Sequence, residues 1–406
     1  MQTKKQVSEF SLSDHMAAFE RGCVDLVDKK DLAKLLESRL AKGRGLRIKF
    51  GMDPSSADLH IGHSIPLLKL RDLQDLGHTI VLIVGDATAM VGDPTGRSQL
   101  RPVLTRKQVE ANLRTYVEQA ALILDMERVE VRRNSEWFDR LNFDGLLKLC
   151  TRMTVAQMIE RDTFQTRMEA GEPIGINEFL YPLMQGWDSV EVKSDVELGG
   201  TDQLFNLLVG RRLQAQEDQR PQIVFTTPLI NGLDGRKMSK SYGNAVGLKD
   251  DARSMTFSIM RLDDVAMSVW FTQLTRVPEE EVTILLAGHP REAKARLAFE
   301  VTAWYHGEEA AREAAQAFDR EVRDKQLPDD IETTQWQDEW GTELPLPNLL
   351  GNMGLVKSTS DARRMIQQGA VRLDGDVQND PRAVCARPAE RQLVQVGKKR
   401  VGYLQG

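Results

Sequence analysis

The sequence predicts an α/β protein with a Rossmann-like parallel sheet, followed by an α-helical region and a small α+β module. Three observations lead to this prediction. The short apolar run Leu46 to Gly51 precedes a turn and a helical pattern that begins near Ser64. The run Thr79 to Val84 is continuously apolar, as expected for a parallel strand covered on both faces. Helical periodicity then continues from about 245 to 326, and an Asp-Gly hairpin signal follows near the end.

Length and composition are ordinary for a globular protein of two or three domains. The chain has 406 residues and three cysteines, Cys23, Cys150 and Cys385. They are far apart in sequence, which favours neither a disulfide framework nor a zinc site. The longest strongly apolar run, Thr79 to Val84, is too short to span a bilayer, and no apolar signal core follows the first residues. We therefore expect a cytoplasmic protein that does not enter a membrane.

Charge is distributed unevenly along the chain. From Asn348 to Gly406 there are ten Lys or Arg against five Asp or Glu, a net charge of +5. Because the whole chain carries −6, the remainder carries −11. A basic module attached to an acidic body is expected if only part of the protein meets nucleic-acid phosphates. A solvated charged surface is the alternative.

Two stretches far apart in the sequence carry the strongest chemical signal. The first, Asp58-Leu-His-Ile-Gly-His63, lies between a predicted strand and a predicted helix, where an α/β sheet receives nucleotides. Its imidazoles can donate hydrogen bonds to phosphate oxygens, and Gly62 leaves room for a purine or ribose. The second, Lys237-Met-Ser-Lys-Ser241, places two lysines three positions apart in a glycine-rich loop. Together they can surround a triphosphate, although a plain helix start and a solvated turn are the alternatives.

A third stretch, Asn177 to Val190, predicts a helix with a polar row between apolar residues. Tyr181, Gln185 and Asp188 stand at i, i+4 and i+7 and so share one side of that helix. Their apolar surroundings favour a site for a polar ligand over a solvated face. Asp202, in the turn Gly-Gly-Thr-Asp-Gln after a later strand, is expected either to pair with a ribose hydroxyl or to cap the next helix.

The order of these motifs inside an α/β pattern resembles the class I aminoacyl-tRNA synthetases. The whole chain resembles the bacterial tyrosyl-tRNA synthetase family, in the subgroup with an intact Lys-Met-Ser-Lys-Ser loop and the run Asp195-Val-Glu-Leu-Gly-Gly200. The resemblance implies a Rossmann-like catalytic domain with N-terminal helices, an α-helical anticodon-binding domain, a linker and a C-terminal αL-type RNA-binding domain. Their expected ranges are 1–244, 245–328, 329–346 and 347–406.

The resemblance implies a tyrosine–tRNA ligase. Such an enzyme joins tyrosine to ATP, giving tyrosyl-adenylate and pyrophosphate, and transfers the tyrosyl group to the terminal adenosine of tRNA(Tyr). This chemistry needs positioning and charge stabilisation rather than a nucleophilic side chain. Mg²⁺ would arrive with ATP rather than in a protein cage, and no tightly bound cofactor is expected. The expected catalytic residues are His60, His63, Lys237 and Lys240.

The family pattern also assigns binding roles to individual positions. For ATP these are Gly51, Asp53, Ser55, His60, His63, Gly200, Asp202, Lys237, Met238 and Lys240. For tyrosine they are Asp93, Tyr181, Gln185, Asp188 and Gln203. For tRNA they are Arg97 and Arg101, and the adjacent Arg363 and Arg364 on a predicted exposed helix of the basic tail are also expected to bind tRNA. Members of the family are usually homodimers, and we expect the contact between subunits within about residues 124–164.

Three positions depart from the pattern of many family members. Lys49 stands where a tyrosine hydroxyl often touches the substrate phenol. Phe50 replaces a small residue near the ribose, and Glu197 replaces a glutamine. If the ammonium group of Lys49 pointed into the pocket, it would change how the phenol is recognised.

Three other functions compete with this interpretation. Tryptophanyl-tRNA synthetases share the fold and both motifs, but the Tyr-x-x-x-Gln-x-x-Asp spacing and the basic tail favour tyrosine. A small-molecule nucleotidyltransferase would use the histidine turn without needing a helical domain or a basic tail. A catalytically inactive relative that only binds RNA is disfavoured by the intact residues His60, His63, Lys237, Lys240 and Asp188.

Overall fold

The chain folds into two compact units, Met1–Ala315 and Gln316–Gly406. The structure is a computed structural model that describes residues 7–53, 60–94, 105–236, 238, 242–323, 331–397 and 400–406. Within these ranges, no helix is both long and apolar enough to cross a bilayer. The domain boundaries expected after residues 244 and 328 stay predictions.

A six-stranded sheet organises the described part of the first unit. Its strands are β1 Leu26–Val27, β2 Arg47–Met52, β3 Thr79–Val84, β4 Val129–Arg133, β5 Val196–Gly200 and β6 Ile223–Thr227, in the order β1-β6-β5-β2-β3-β4. Strands β2 to β6 are parallel, and the short β1 runs antiparallel to β6. The predicted Rossmann-like sheet is therefore confirmed. From β2 the chain adds β3 and β4 on one side and then β5 and β6 on the other. The switch point, where such sheets bind ligands, therefore lies between β2 and β5.

Helices cover this sheet, and several begin at residues that cap them. Ser11 and Asp14 form a reciprocal capping box, as do Thr105 and Gln108. The helices of the first unit are α1 Leu12–Glu20, α2 Lys29–Leu40, α3 Ile61–Asp75, α4 Thr88–Val91, α5 Arg106–Ala120, α6 Ser135–Phe138, α7 Phe143–Cys150, α8 Val155–Ile159, α9 Asp162–Glu169, α10 Leu180–Val192, α11 Leu204–Gln216, α12 Ala252–Ile259, α13 Met267–Leu274, α14 Glu279–Ala287 and α15 Pro290–His306. One more helix, α16 Glu308–Phe318, crosses the boundary between the two units.

The helical region after the sheet shares one apolar core with it. Leu70 of α3, Leu82 of β3 and Phe271 of α13 are fully buried in the same cluster. Removing this apolar surface from water holds α3 between the sheet and the later helices. The start of α3 carries the histidine turn, so the core fixes the position of that turn.

The second unit is a small α+β fold, as predicted. Its helices are α17 Leu346–Asn352 and α18 Thr359–Gln367, and its strands are β7 Thr333–Gln335, β8 Glu343–Pro345, β9 Val371–Leu373, β10 Asp376–Gln378, β11 Val384–Ala386, β12 Gln392–Val396 and β13 Arg400–Gln405. The predicted hairpin is confirmed: Asp374 and Gly375 join β9 to β10 with φ of 47° and 93°. Positive φ at both positions is what a two-residue hairpin turn requires.

The stretch that the sequence predicts as a linker, 329–346, is partly folded into this second unit. From residue 331 onward it is described, and it contains β7 and β8. Trp336 is only 4% exposed and packs in the same apolar cluster as Leu346 and Leu404. The proline and acidic residues of this stretch are typical of a linker, but the buried indole of Trp336 packs it against the apolar core of the second unit.

Candidate active site

A cavity of about 750 Å³ lies at the carboxyl ends of the parallel strands. It is lined by the ends of β2, β3, β5 and β6 and by one side of α10. This is the edge of the sheet where an α/β fold places its ligand. The cavity brings together many of the residues that the family pattern assigned to ATP and tyrosine: Gly51, Asp53, His63, Asp93, Tyr181, Gln185, Asp188, Gly200, Asp202 and Gln203.

The histidine turn is the N-terminus of α3. His60 is the N-cap, and its Nδ1 accepts from the backbone N–H of Gly62 at 3.2 Å. His63 Nδ1 accepts from the backbone N–H of His60, also at 3.2 Å. Because Nδ1 of each ring accepts, we assign the proton of each neutral ring to Nε2, which is then a donor. A Cβ on Gly62 would lie 3.0 Å from His60 Cε1, so a larger residue there would press against the imidazole ring.

The described flanks of the lysine loop lie beside the histidine turn. The backbone N–H of Ile61 donates to Val246 O at 2.8 Å. Met238 is 5% exposed, and its Sδ lies 3.5 Å from where a Cβ on Gly62 would stand. The base of the loop is closed by Leu233 N–H donating to Asn244 O at 2.9 Å. Outside the described residues are Lys237 and Lys240, together with Ser55, Arg97 and Arg101.

Asp188 is a buried carboxyl group at the wall of the cavity. It is 3% exposed, and Trp137 Nε1 donates to its Oδ1 at 2.9 Å while Asn134 Nδ2 lies 3.4 Å from its Oδ2. Burial raises the pKa of Asp188 to about 7, against the opposing effects of the Lys49 charge and of these two hydrogen bonds. The group is thus poised between its neutral and ionised forms near physiological pH.

A second group of polar side chains faces the cavity around Tyr181. Its hydroxyl donates to Asp53 Oδ2 at 2.8 Å. Burial, followed by the charges of Asp53 and Asp93, raises the pKa of Tyr181 well above its usual value, so the phenol stays protonated. Asp93 in turn accepts from Gln203 Nε2 at 2.9 Å and lies 3.3 Å from Arg161. These oxygens form a negatively polarised pocket suited to an ammonium group.

Asp53, which is expected to bind ATP, has two partners within the protein. Its carboxylate accepts from Thr88 Oγ1 and from the hydroxyl of Tyr181, each at 2.8 Å, and its role at ATP stays a prediction. Gly85 makes room for this pair, since a Cβ there would lie 2.0 Å from Asp53 Oδ1. Asp53 thus links the end of β2 to α4 and α10 at the junction of the two predicted subsites.

Lys49 and Glu197, two of the three unusual positions, pair with each other. They are register partners on β2 and β5, and Lys49 Nζ lies 2.9 Å from Glu197 Oε1 with both side chains fully buried. Nζ also donates to Gln185 O at 2.7 Å and to Ser189 Oγ at 2.8 Å. The ammonium group is thus directed behind α10, and Phe50 beside it lines the cavity.

Sequence reasoning missed several residues that hold the site together. Trp137 and Asn134 follow β4, where a polar residue directly after a parallel strand was an available signal. Tyr116 reaches the site from α5, and Arg161 reaches it from the bend between α8 and α9. Both stretches have ordinary amphipathic patterns, and no local periodicity distinguishes these two residues from surface or core residues.

Comparison with known proteins identifies the family. Residues 41–322 match the family described as tRNA synthetases class I (W and Y), and residues 344–385 match the S4 domain. A tyrosine–tRNA ligase of Moorella thermoacetica is 44% identical over 405 residues, covering 98% of this chain and 97% of the relative. Another, from Burkholderia thailandensis, is 46% identical over 391 residues, covering 95% and 93%.

The chain belongs to the bacterial tyrosyl-tRNA synthetase family. The predicted enzyme class, a tyrosine–tRNA ligase, is thereby confirmed over nearly the full length. A crystal structure of the mitochondrial tyrosyl-tRNA synthetase of Aspergillus nidulans, truncated at its C-terminus, has the same fold with a TM-score of 0.62. It is 24% identical and covers 79% of this chain and 95% of its own.

The S4 match gives the second unit of this tyrosyl-tRNA synthetase an RNA-binding fold. Arg363 and Arg364 both lie on α18 within the matched range and are exposed. Arg364 donates to Asp361 Oδ1 at 2.6 Å, which orients its guanidinium group along the helix surface. The expected tRNA-binding role of the two arginines stays a prediction.

Proposed function

We propose that the cavity binds L-tyrosine and the Mg²⁺ complex of ATP side by side and joins them as tyrosyl-adenylate. The observation that carries this proposal is Asp188, a buried carboxyl group that already accepts from Trp137 and lines the same cavity as Tyr181. A phenol hydroxyl can donate to it, whereas phenylalanine would leave it without that partner. Tyrosyl-tRNA synthetase is itself the standard example of this kind of selection.

The ammonium group of tyrosine would be bound on the Tyr181 side of the cavity. Tyr181 uses its proton on Asp53, so its oxygen can accept from the ammonium group. Asp93 supplies negative charge, and Gln203 donates to Asp93 and fixes its orientation. Gln185, whose Oε1 accepts from Asn206 at 2.9 Å, would complete this environment. With both ends held, the carboxylate of tyrosine faces the nucleotide end of the cavity.

The nucleotide would lie across the switch point of the sheet, with the adenosine against Gly51, His63 and Gly200 and the ribose at Asp202. His60 would donate from Nε2 to a phosphate oxygen, helped by Ser55 and by the lysine loop residues Lys237, Met238 and Lys240. The tyrosine carboxylate attacks the α-phosphorus, and the bond to the pyrophosphate oxygen breaks. Donors fixed in advance would stabilise the charge that develops on pyrophosphate.

In the second step, a hydroxyl of the terminal adenosine of tRNA(Tyr) attacks the tyrosyl carbonyl, and AMP leaves. The S4 fold and the +5 charge of its sequence region support binding of tRNA to the second unit, with Arg363 and Arg364 as contacts. Arg97 and Arg101 would meet the acceptor end, and the helices from 245 onward the anticodon. The cytoplasmic location expected from the sequence also stays a proposal.

We further propose a homodimer whose contact includes α7 and α8. Phe143 and Leu147 stand four residues apart on one side of α7 and are 75% and 50% exposed, and Val155 of α8 is 64% exposed. Apolar side chains of this size grouped on a surface indicate a protein interface. Phe143→Glu combined with Leu147→Glu should convert the dimer to a monomer in sedimentation. An unchanged sedimentation coefficient would locate the interface elsewhere.

The decisive experiment is ATP–pyrophosphate exchange measured with each of the twenty amino acids. We expect exchange with tyrosine, and exchange with phenylalanine and tryptophan lower by orders of magnitude. Exchange that depends on tryptophan instead would assign the cavity to the indole amino acid. A lack of exchange with all twenty would refute adenylate formation at this site.

A further inference from the structure

A buried ammonium group lies directly behind the turn of α10 that carries Asp188. Lys49 Nζ has three acceptors: Glu197 Oε1 at 2.9 Å, Gln185 O at 2.7 Å and Ser189 Oγ at 2.8 Å. An ammonium group has three hydrogens, so these three acceptors use all of its donors. Lys49 therefore supports the backbone of α10, and its three hydrogens are already used by protein acceptors.

Glu197 completes the arrangement on the other side of the ammonium group. Its Oε2 accepts from Ser189 Oγ at 3.0 Å and from Gln222 Nε2. Gly210 of α11 allows this packing, because a Cβ there would lie 2.9 Å from Ser189 Oγ. The network thus joins β2, β5, α10 and α11 at the switch point of the sheet.

Stability alone does not account for such a pair. Taking two charges out of water is costly, and replacing a buried ion pair by apolar residues of similar volume is often neutral or stabilising. The contacts of this pair are concentrated on one helix turn, since Gln185 and Ser189 flank Asp188 within α10. If the pair orients that turn of α10, this role explains why two charges that are unfavourable to bury are present and why they lie beside that turn.

We propose that Lys49 is a positioning residue for tyrosine selection: it holds the turn of α10 that presents Asp188 to the cavity and places a buried positive charge beside that carboxylate. Glu197 is its counter-ion and keeps the ammonium group on the helix side. This inference rests on the proposed tyrosine site and adds a residue that acts through Asp188 without touching substrate.

The charges around Asp188 support the same assignment. From β2 the charge of Lys49 lowers the pKa of Asp188, and from β5 the charge of Glu197 raises it by a smaller amount. Among the described residues, the neutral donors Trp137 and Asn134 and the phenol of Tyr181 also face the carboxylate. Without Lys49, only the hydrogen bonds from Trp137 and Asn134 would oppose the effects of burial and of the Glu197 charge, so the pKa of Asp188 would rise further.

The test compares tyrosine binding by wild type, Lys49→Met and Lys69→Met across about pH 5.5 to 8.5. Lys69 is a matched control, because it is 6% exposed and donates to the backbone oxygens of Ala18 and Arg21, away from the cavity. In equilibrium dialysis, Lys49→Met should raise the Kd for tyrosine by at least about tenfold, because the phenol would then meet a protonated Asp188 and lose its hydrogen bond to a charged group. The pH at which binding is half-maximal should also rise, whereas Lys69→Met should move neither quantity.

Lys49→Met leaves Glu197 buried without its counter-ion, so the double variant Lys49→Met/Glu197→Gln provides a neutral pair of similar volume. This double variant should fold. Its Kd for tyrosine should still exceed that of wild type, because the charge of Lys49 lowers the pKa of Asp188 by more than the charge of Glu197 raises it. The KM for ATP should change by less than about twofold, since no nucleotide contact is lost.

The outcomes separate the two proposals. If wild type exchanges pyrophosphate with tyrosine but both Lys49 variants bind tyrosine normally at every pH, Lys49 is only structural. Equal increases in the KM for ATP and in the Kd for tyrosine would likewise overturn a positioning role. If wild type binds no tyrosine, the proposed function itself is wrong, and the Lys49 inference falls with it.

Discussion

Trp137 donates its indole N–H to Asp188 Oδ1 across 2.9 Å, and both residues are nearly fully buried. The two belong to different parts of the fold, one in α6 and the other in α10. This hydrogen bond stabilises the negative charge of the Asp188 carboxylate, which burial otherwise disfavours. The geometry thus presents Asp188 to the cavity in a fixed orientation.

Trp137→Phe should weaken tyrosine binding while leaving the fold intact. The substitution keeps an aromatic ring but removes the donor, so Asp188 loses one of the hydrogen bonds that lower its pKa. A hydrogen bond to a charged group contributes about 1.5–3 kcal/mol, so the KM for tyrosine in pyrophosphate exchange should rise by about tenfold or more. The control is Trp187→Phe, because Trp187 donates to Glu191 on the exposed surface. Equal KM values in the two variants would contradict a role for the Trp137 bond.

Asp188→Asn should abolish tyrosine activation and yet stabilise the unliganded protein at alkaline pH. The pKa of Asp188 rises from 3.8 to about 7 on folding, so between these pH values the folded chain keeps a proton that the unfolded chain releases. The stability that this proton contributes declines over that range and is lost once the pH exceeds 7. The unliganded wild type thus carries a penalty of a few kcal/mol, taking about 1.4 kcal/mol per pKa unit. Asparagine cannot ionise and escapes this penalty.

The measurement for this variant is the melting temperature at about pH 5 and pH 8, together with pyrophosphate exchange. The gain in melting temperature over wild type should be larger at the higher pH. A gain that does not depend on pH would refute the assignment of the raised pKa to this carboxyl group. Near-normal exchange would refute its role in binding the phenol.

His60→Ala should lower kcat for tyrosine activation far more than it changes the KM for tyrosine. The ring lies at the start of α3 with Nε2 as a donor, and its proposed partner is a phosphate oxygen whose charge grows during the reaction. Losing one such donor costs about 10²–10³ in kcat. Stopped-flow measurement of adenylate formation separates the two parameters. A raised KM for tyrosine with unchanged kcat would count against a transition-state role.

His78 should make the first unit less stable as pH falls. It accepts from the backbone N–H of Leu46 and lies 3.1 Å from His15 in the core. Burial, followed by the His15 charge, lowers its pKa from 6.5 to about 3. Between these values the unfolded chain binds a proton that the folded chain excludes, so folding stability present above pH 6.5 declines by up to about 1.4 kcal/mol per pH unit.

His78→Gln provides the check on this pH effect, because it removes the titrating group. The urea midpoint of wild type should exceed that of the variant most at pH 7, and the difference should narrow by pH 5. Parallel curves for the two proteins would mean that His78 is not the group responsible.

Arg363→Glu combined with Arg364→Glu should impair charging of tRNA without affecting adenylate formation. Both residues lie on exposed α18 of the S4 unit, and the cavity residues belong to the other unit. Reversing the two charges that are proposed to meet tRNA phosphates should raise the KM for tRNA by about tenfold or more, and most strongly at low salt. Aminoacylation and pyrophosphate exchange are measured side by side. Equal losses in both would mean that α18 acts on the fold rather than on tRNA.

Much of the local structure was predictable from the sequence. The strand, turn and helix around His60 follow from an apolar run, a cap and helical periodicity, all of which act over a few residues. The shared side of Tyr181, Gln185 and Asp188 follows from the period of a single helix. The linker prediction failed in part because the burial of Trp336 depends on strands far along the chain.

The sequence by itself determined the strands and helices around the histidine turn and the shared side of Tyr181, Gln185 and Asp188. Through its motifs it also determined to which family the chain belongs. Only the tertiary structure decided that Lys49 pairs with Glu197 and that Trp137 donates to Asp188. The physical reason is that strand order sets which residues become neighbours, and local periodicity carries no information about that order. Charge and hydrogen bonding inside a protein depend on those neighbours, so the properties of Asp188 arise only once the sheet has formed.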